Sequence, residues 1–298
     1  MKLSSPLATA FTASRMIHSG VDTSLDTRSI TSTLLNLFEW MSQYAAAGYC
    51  NKDGTVGDVV SCEDDVCADL VTNGAVIAAT LDGDWESTGG VVIRDDVNVA
   101  IVVSFSGTVT SLLADYILDV DILLESIALC DGCKVHSGFH GAWDAMADTV
   151  MTSVQALAAE YPSYSVTFTG HSLGAALATL GCAYWRDDYG GTCEIYTFGS
   201  PRVGNEAFAE FVSAQSGNEY RMTHIDDPVP RLPSHDFGYY HTDMEYWLST
   251  GSATTTLYTG DEVVVCTGIY NASCNSAGVI STDWTAHSYY LRHVSVCS

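Results

Sequence analysis

Positive charge is scarce in this 298-residue chain: 11 Lys and Arg stand against 36 Asp and Glu, a formal net charge of -25 at pH 7. Phosphate backbones and anionic headgroups are bound through basic clusters, so this balance excludes nucleic acid as a partner. There is no run of about 18 apolar residues, and no transmembrane helix or integral membrane association is expected. Internal repeats and low-complexity tracts are lacking too, and no linker follows residue 30. What the chain does have is 47% apolar residues and ten cysteines. The first is enough for one sizeable core. The second is an even count that suits an oxidising compartment, so the protein is expected to be secreted, although spacing alone does not choose the pairings.

Residues 1–28 are rich in Ser and Thr and read as a leader, propeptide remnant or disordered arm, leaving 29–298 as one α/β domain. From 29 to 48, "SITSTLLNLFEWMSQYAAAG" places Ile30, Leu34, Leu37, Phe38 and Met41 at helical spacing, after Ser and Thr caps and before Gly48. The runs "GAVIAATLDG", "GGVVIRDD" and "NVAIVVSFSG" are β-rich and bounded by Gly, Asp and Asn. A helix is expected over 141–160, stopped by Pro162, and leads into the strand "YSVTFTG". "EIYTFGSPRVG", "EYRMTHI" and "EVVVCTGIY" repeat the strand signal, with a helix over 205–215. Strands alternating with helices imply a mostly parallel sheet covered on both faces. "NAS" at Asn271 is a possible glycan acceptor or an unmodified loop.

The segment "TFTGHSLGAALATL" sets Ser172 between Gly170 and Gly174 at the end of one such strand. A strand turning directly into a helix leaves no room for side chains beside the serine. That turn would expose the hydroxyl at a helix N-terminus, where unpaired N–H groups stabilise an oxyanion. A serine nucleophile needs a base, and the base an orienting acid, expected in the order Ser, Asp, His at the carboxyl ends of later strands. "RMTHIDDPVPRLP" offers Asp226 and Asp227; His224, His235, His241, His287 and His293 all follow the serine. His224 lies inside a strand and reads as a packed residue, His235 and His241 lie in an aromatic loop, and His287 lies in a late loop from which it could reach the serine.

Taken together, "FSGT", "CDGCKVHSGF", "VTFTGHSLGAALATL", "FGSPRVGNEAFAEF" and "RMTHIDDPVPRLP" resemble, in order and spacing, the fungal class 3 lipases, an α/β-hydrolase family that includes feruloyl esterases. The likeness runs from about residue 42 to the carboxyl terminus. It implies an α/β-hydrolase fold with a lid helix, Ser172 as nucleophile, Asp227 rather than Asp226 as acid and His287 as base. It also implies an oxyanion hole at Thr108 and Leu173, and needs neither cofactor nor metal. Members of that family usually carry Arg before the glycine of the "FSGT" motif, whereas this chain has Ser106.

The segment at about 108–124 corresponds to the family's lid. Leu112, Leu113, Tyr116 and Ile117 form its apolar side, with Asp115 and Asp119 on another side, which suits a helix that covers the serine in water and turns toward lipid. The same spacing also fits a surface helix packed on the core. The resemblance therefore implies a secreted, monomeric triacylglycerol lipase acting on lipid esters at an oil–water interface. The alternatives are a feruloyl or other soluble-ester esterase and, more distantly, a non-catalytic member that binds lipid or polysaccharide. "CEDDVC" and "CDGC" do not make a recognised zinc set, and the family pattern implies the disulfides Cys50–Cys297, Cys62–Cys67, Cys130–Cys133 and Cys266–Cys274. It leaves Cys182 and Cys193 unassigned.

Overall fold

The computed structural model describes residues 25–26, 29–83, 88–108, 122–277 and 280–298; for 25–26 it gives the backbone alone. Eleven strands are described, β1 Leu25–Asp26, β2 Val76–Asp82, β3 Gly89–Asp95, β4 Ala100–Phe105, β5 Leu124–Ser126, β6 Lys134–His136, β7 Ser165–His171, β8 Glu194–Phe198, β9 Glu219–His224, β10 Glu245–Leu248 and β11 Val263–Cys266. The α-helices are α1 Ser32–Asn51, α2 Ala68–Asn73, α3 Ser137–Glu160, α4 Leu173–Asp188 and α5 Glu206–Ala214. Nine strands form one sheet in the order β1-β11-β10-β9-β8-β7-β4-β3-β2, and β5 and β6 form a separate hairpin. The centre, from β4 through β7, β8 and β9 to β10, is parallel, and both flanks are antiparallel. Those four consecutive parallel pairs require crossovers, and α3, α4 and α5 supply three of them.

Alternation along β4 shows how the two faces are filled. Ile101, Val103 and Phe105 join one buried cluster with Phe139, Trp143 and Val150 of α3 and with Leu173, Leu177 and Leu180 of α4. Ala100 and Val102 face the other, which holds Phe38, Met41 and Tyr44 of α1. Helices thus cover both sides of the sheet, and the buried strands read as near-continuous apolar runs for that reason.

α1 begins where Thr31 accepts the Leu34 N–H at 3.2 Å. It does not stop at Gly48 but continues to Asn51. Gly48 is there for closeness rather than for termination, since a Cβ at that position would lie 2.5 Å from Ser104 Oγ. α3 starts at Ser137, earlier than the apolar spacing indicated, because His136 caps it by accepting the Gly138 N–H at 3.1 Å. Cys50–Cys297, Cys62–Cys67, Cys130–Cys133 and Cys266–Cys274 all form, and Cys182 pairs with Cys193. The lid positions Leu112, Leu113, Tyr116 and Ile117 lie outside the described residues. Among the described residues, no helix is long and apolar enough to cross a membrane. Asn271 of the "NAS" triplet is buried, donates to Thr267 O at 3.2 Å and accepts the Ser273 N–H at 2.9 Å.

Candidate active site

Register brings the carboxyl ends of the parallel strands into line. Phe105 stands beside Gly170, His171 beside Phe198, and Phe198 beside Met222. The residues that follow these ends are Ser106 to Thr108 after β4, Ser172 after β7, Gly199 after β8 and Asp227 after β9. This is the edge at which open parallel sheets assemble sites from loops.

Ser172 sits between β7 and α4 with φ 60° and ψ -129°, a conformation that costs a non-glycine residue on the order of 1–3 kcal/mol. Its N–H donates to Phe198 O at 2.9 Å, which holds the turn against β8. Both flanking glycines are explained by contact. A Cβ on Gly170 would lie 2.3 Å from Gly174 O, and one on Gly174 would lie 2.2 Å from Phe105 O. Leu173 is the first helical residue of α4, so its N–H belongs to the turn that has no acceptor within the helix. Thr108 is buried, and the residue before it, Gly107, lies so near that a Cβ there would be 2.9 Å from Ser172 Cβ.

β9 is followed by Ile225 at φ 41°, whose N–H donates to Leu248 O of β10 at 2.8 Å. Asp227 follows, fully buried. Its Oδ1 accepts the Val229 N–H at 2.9 Å; its Oδ2 accepts both the His287 Nδ1–H at 2.8 Å and the Tyr290 hydroxyl. Asn275 donates to the Asp227 carbonyl at 3.1 Å. Because a carboxylate only accepts, the bond at Nδ1 fixes the proton there and leaves Nε2 of a neutral His287 as an acceptor. Gly199 makes room for the group: a Cβ there would lie 3.0 Å from Asp227 Oδ2 and 3.1 Å from His287 Cε1.

Two atoms of this assembly are orphaned. Ser172 Oγ and His287 Nε2 are both buried, and neither has a hydrogen-bond partner among the described residues. Buried polar atoms are rarely left unpaired, so two of them on adjoining segments call for a functional reason. Chemically, the arrangement combines a hydroxyl on a strained turn, an imidazole of fixed tautomer and an ion-pairing carboxylate. A helix N-terminus and the β4 exit lie alongside.

Of the other sequence candidates, His224 is packed inside the protein, its Nδ1 3.0 Å from Ala286 O and its Nε2 2.8 Å from Tyr258 Oη. Burial holds its pKa below the ordinary histidine value. His241 is buried with Nε2 2.6 Å from Pro230 O, and His235 stacks on Tyr270. Ser106 is buried and its hydroxyl donates to Gly89 O at 3.1 Å. Sequence reasoning missed His171, Tyr49 and Tyr290. His171 occupies the variable place in the G-x-S-x-G pattern, and no linear signal connects it to Tyr49; Tyr290 lies three residues after His287 without a motif of its own.

Comparison with known proteins agrees with this architecture. The family model for lipase (class 3) matches residues 102–237. The secreted mono- and diacylglycerol lipase 1 of Fusarium solani is 40% identical over 276 residues, covering 92% of this chain and 81% of the relative. The secreted mono- and diacylglycerol lipase A of Penicillium cyclopium is 33% identical over 273 residues, covering 91% and 88%. Among solved structures, the mono- and diacylglycerol lipase of Aspergillus oryzae superposes with a TM-score of 0.84 at 34% identity, covering 90% of this chain and all of that one. With its five disulfides, the chain belongs to the class 3 lipase family, as a secreted carboxylic ester hydrolase of the lipase type.

Proposed function

We propose that the chain hydrolyses acylglycerols at a lipid–water interface through an acyl-enzyme on Ser172. His287 Nε2 takes the hydroxyl proton as Oγ attacks the ester carbonyl, and Asp227 stabilises the resulting imidazolium. The N–H groups of Thr108 and Leu173 receive the oxyanion, a contribution worth on the order of 3 kcal/mol per donor. His287 then passes its proton to the leaving glyceride oxygen; a water, deprotonated in turn by His287, attacks the acyl group and returns the serine. The observation that carries this reading is the Nδ1-to-Asp227 bond paired with two buried, partnerless atoms, Ser172 Oγ and His287 Nε2. Every group it uses comes from one chain, so a monomer suffices.

The printed names of the relatives favour mono- and diacylglycerols among the acylglycerols, with triacylglycerol as the broader reading. The lid residues Leu112, Leu113, Tyr116 and Ile117 take the interfacial role from the family resemblance, and their amphipathic spacing is compatible with it. Exposing four such side chains to water would cost several kcal/mol at about 25 cal/mol per Å², so an oil surface is needed to hold them open. Hydrolysis of tributyrin above and below its solubility limit, dioctanoylglycerol, monooctanoylglycerol and methyl ferulate separates the readings. Activity that rises when tributyrin forms droplets supports the lipase. Faster turnover of the di- and monoglyceride selects partial acylglycerols, and turnover of methyl ferulate alone would select an esterase. Ser172→Ala is expected to abolish all of it.

A further inference from the structure

The ring of His171 is sealed inside the protein, next to Ser172 in the chain, and both of its nitrogens are engaged. Nε2 lies 2.6 Å from the backbone carbonyl of His287, and Nδ1 lies 2.8 Å from the hydroxyl of Tyr49. A carbonyl only accepts, so Nε2 carries the proton. In a neutral ring Nδ1 is then an acceptor, and the Tyr49 hydroxyl must be its donor. Burial, reinforced by the adjacent His287, keeps the His171 pKa well below that of an ordinary histidine, so the ring stays neutral and this tautomer persists.

The chain of contacts does not end at Tyr49. The phenol oxygen packs directly against Gly107, where a Cβ would lie only 2.3 Å from it. Tyr49 is itself anchored, since it precedes Cys50, which is bonded to Cys297, ten residues beyond His287. The connection therefore runs Gly107, Tyr49, His171, His287 carbonyl, joining the β4 exit, the nucleophile turn and the base loop. His171 and His287 also pack ring against ring, with centroids 4.5 Å apart.

We infer that Tyr49 and His171 are positioning residues, a buried hydrogen-bonded strap that sets the Thr108 segment and the His287 loop in register with Ser172. Neither side chain exchanges a proton with substrate. Each instead fixes a backbone segment: Tyr49 the one whose N–H receives the oxyanion, His171 the one that carries the base. The inference rests on the triad reading above. Because such sites lose about 100-fold for displacements near 1 Å, a strap of this kind acts on kcat rather than on substrate binding.

The test uses the full-length enzyme and p-nitrophenyl butyrate below its solubility limit, with rates expressed per active site counted by the end-point of phosphonate labelling. Tyr49→Phe and His171→Phe are each expected to lower kcat by about 10- to 100-fold with KM unchanged within about twofold. His171→Gln, whose amide can still donate to the His287 carbonyl, is expected to recover most of the loss. The two losses should not multiply in the Tyr49→Phe/His171→Phe double variant, because the residues act as one unit. Wild-type kcat in Tyr49→Phe would overturn the strap, as would losses that multiply or a deficit that disappears once rates are taken per labelled site. If His171→Phe does not fold, Tyr49→Phe and His171→Gln decide the matter. Ser172→Ala is run alongside: activity surviving there refutes the triad, whereas a dead Ser172→Ala with an unaffected Tyr49→Phe refutes the strap alone.

Discussion

Gly174→Ala isolates one contact at the centre of the proposed site. The added Cβ would meet Phe105 O at 2.2 Å, Phe105 C at 2.7 Å and Ser106 C at 2.9 Å, all backbone atoms at the exit of β4. No rotamer relieves this, because the atoms on both sides are fixed by the main chain. Ordinary van der Waals separation begins at 3.4 Å, so α4 and the β4 exit must part by about 1 Å. Overpacking of that kind costs about 1–3 kcal/mol of stability. The same displacement moves Thr108 away from Ser172, and a 1 Å error in a reacting geometry lowers turnover by about 100-fold. The substitution should therefore reduce kcat far more than it reduces the folded fraction. The assay is p-nitrophenyl butyrate hydrolysis, with the urea midpoint measured on the same preparation. Wild-type kcat with an unchanged midpoint would refute the claim that this glycine exists to let the oxyanion segment approach the nucleophile.

Burial holds the pKa values of His171, His224 and His241 below the ordinary value of 6.5, those of His171 and His241 well below it. Their stabilising contribution is present above pH 6.5 and is lost as acid protonates the unfolded histidines first. Burial has the opposite effect on Glu219, which is pushed up to about 7 from 4.5, with its Oε2 sealed from solvent and without a partner among the described residues. As pH falls below 6.5, unfolding should take up protons at these histidines, against the release of about one at Glu219, so stability should fall toward acid. A urea midpoint that is flat across that range would contradict this. The Glu219 contribution is present below pH 4.5 and is lost as pH rises through about 7. Glu219→Gln should accordingly leave the pH 5 midpoint nearly unchanged and stabilise the protein at pH 8 by about 1–2 kcal/mol after solvent screening of a partly exposed residue. A gain confined to acid would be the wrong sign. Removing Cys50–Cys297, whose sulfurs join positions 247 apart, with Cys50→Ala/Cys297→Ala should cost up to about 5 kcal/mol by the chain-entropy relation, read in the same denaturation experiment.

What could be read in the sequence was whatever is local. The parallel strands announce themselves as apolar runs because both of their faces are buried, and the Ser172 turn does so because two glycines are needed within five residues. β10 was not legible. It opens on Glu245, a charge that reads as surface, yet that carboxylate is buried at 3.2 Å from Arg221 Nη2 and also accepts from Thr223 Oγ1 at 2.6 Å. Its strand character depends on partners more than twenty residues away. The β5–β6 hairpin is three residues on each side, too short for alternation to show. Gly48 suggested a helix end because glycine often is one; only the Ser104 contact reveals it as a point of close approach. The pairing of Cys182 with Cys193 depends on α4 meeting the start of β8. Within the proposed site, motif and order pointed to Ser172 but left Asp226 or Asp227 and several histidines open; the family resemblance singled out Asp227 and His287. Neither pointed to Tyr49 and His171, since a bond between residues 122 apart leaves no trace in spacing.

The proposal that Ser172 is the nucleophile is tested most directly by trapping it. The folded enzyme is treated with diethyl p-nitrophenyl phosphate, and peptide masses are recorded as ester hydrolysis declines. One diethylphosphoryl group per chain, on the peptide containing Ser172 and rising in step with the loss of activity, is the predicted result. Label on another residue, or full inactivation with Ser172 unmodified, would contradict it.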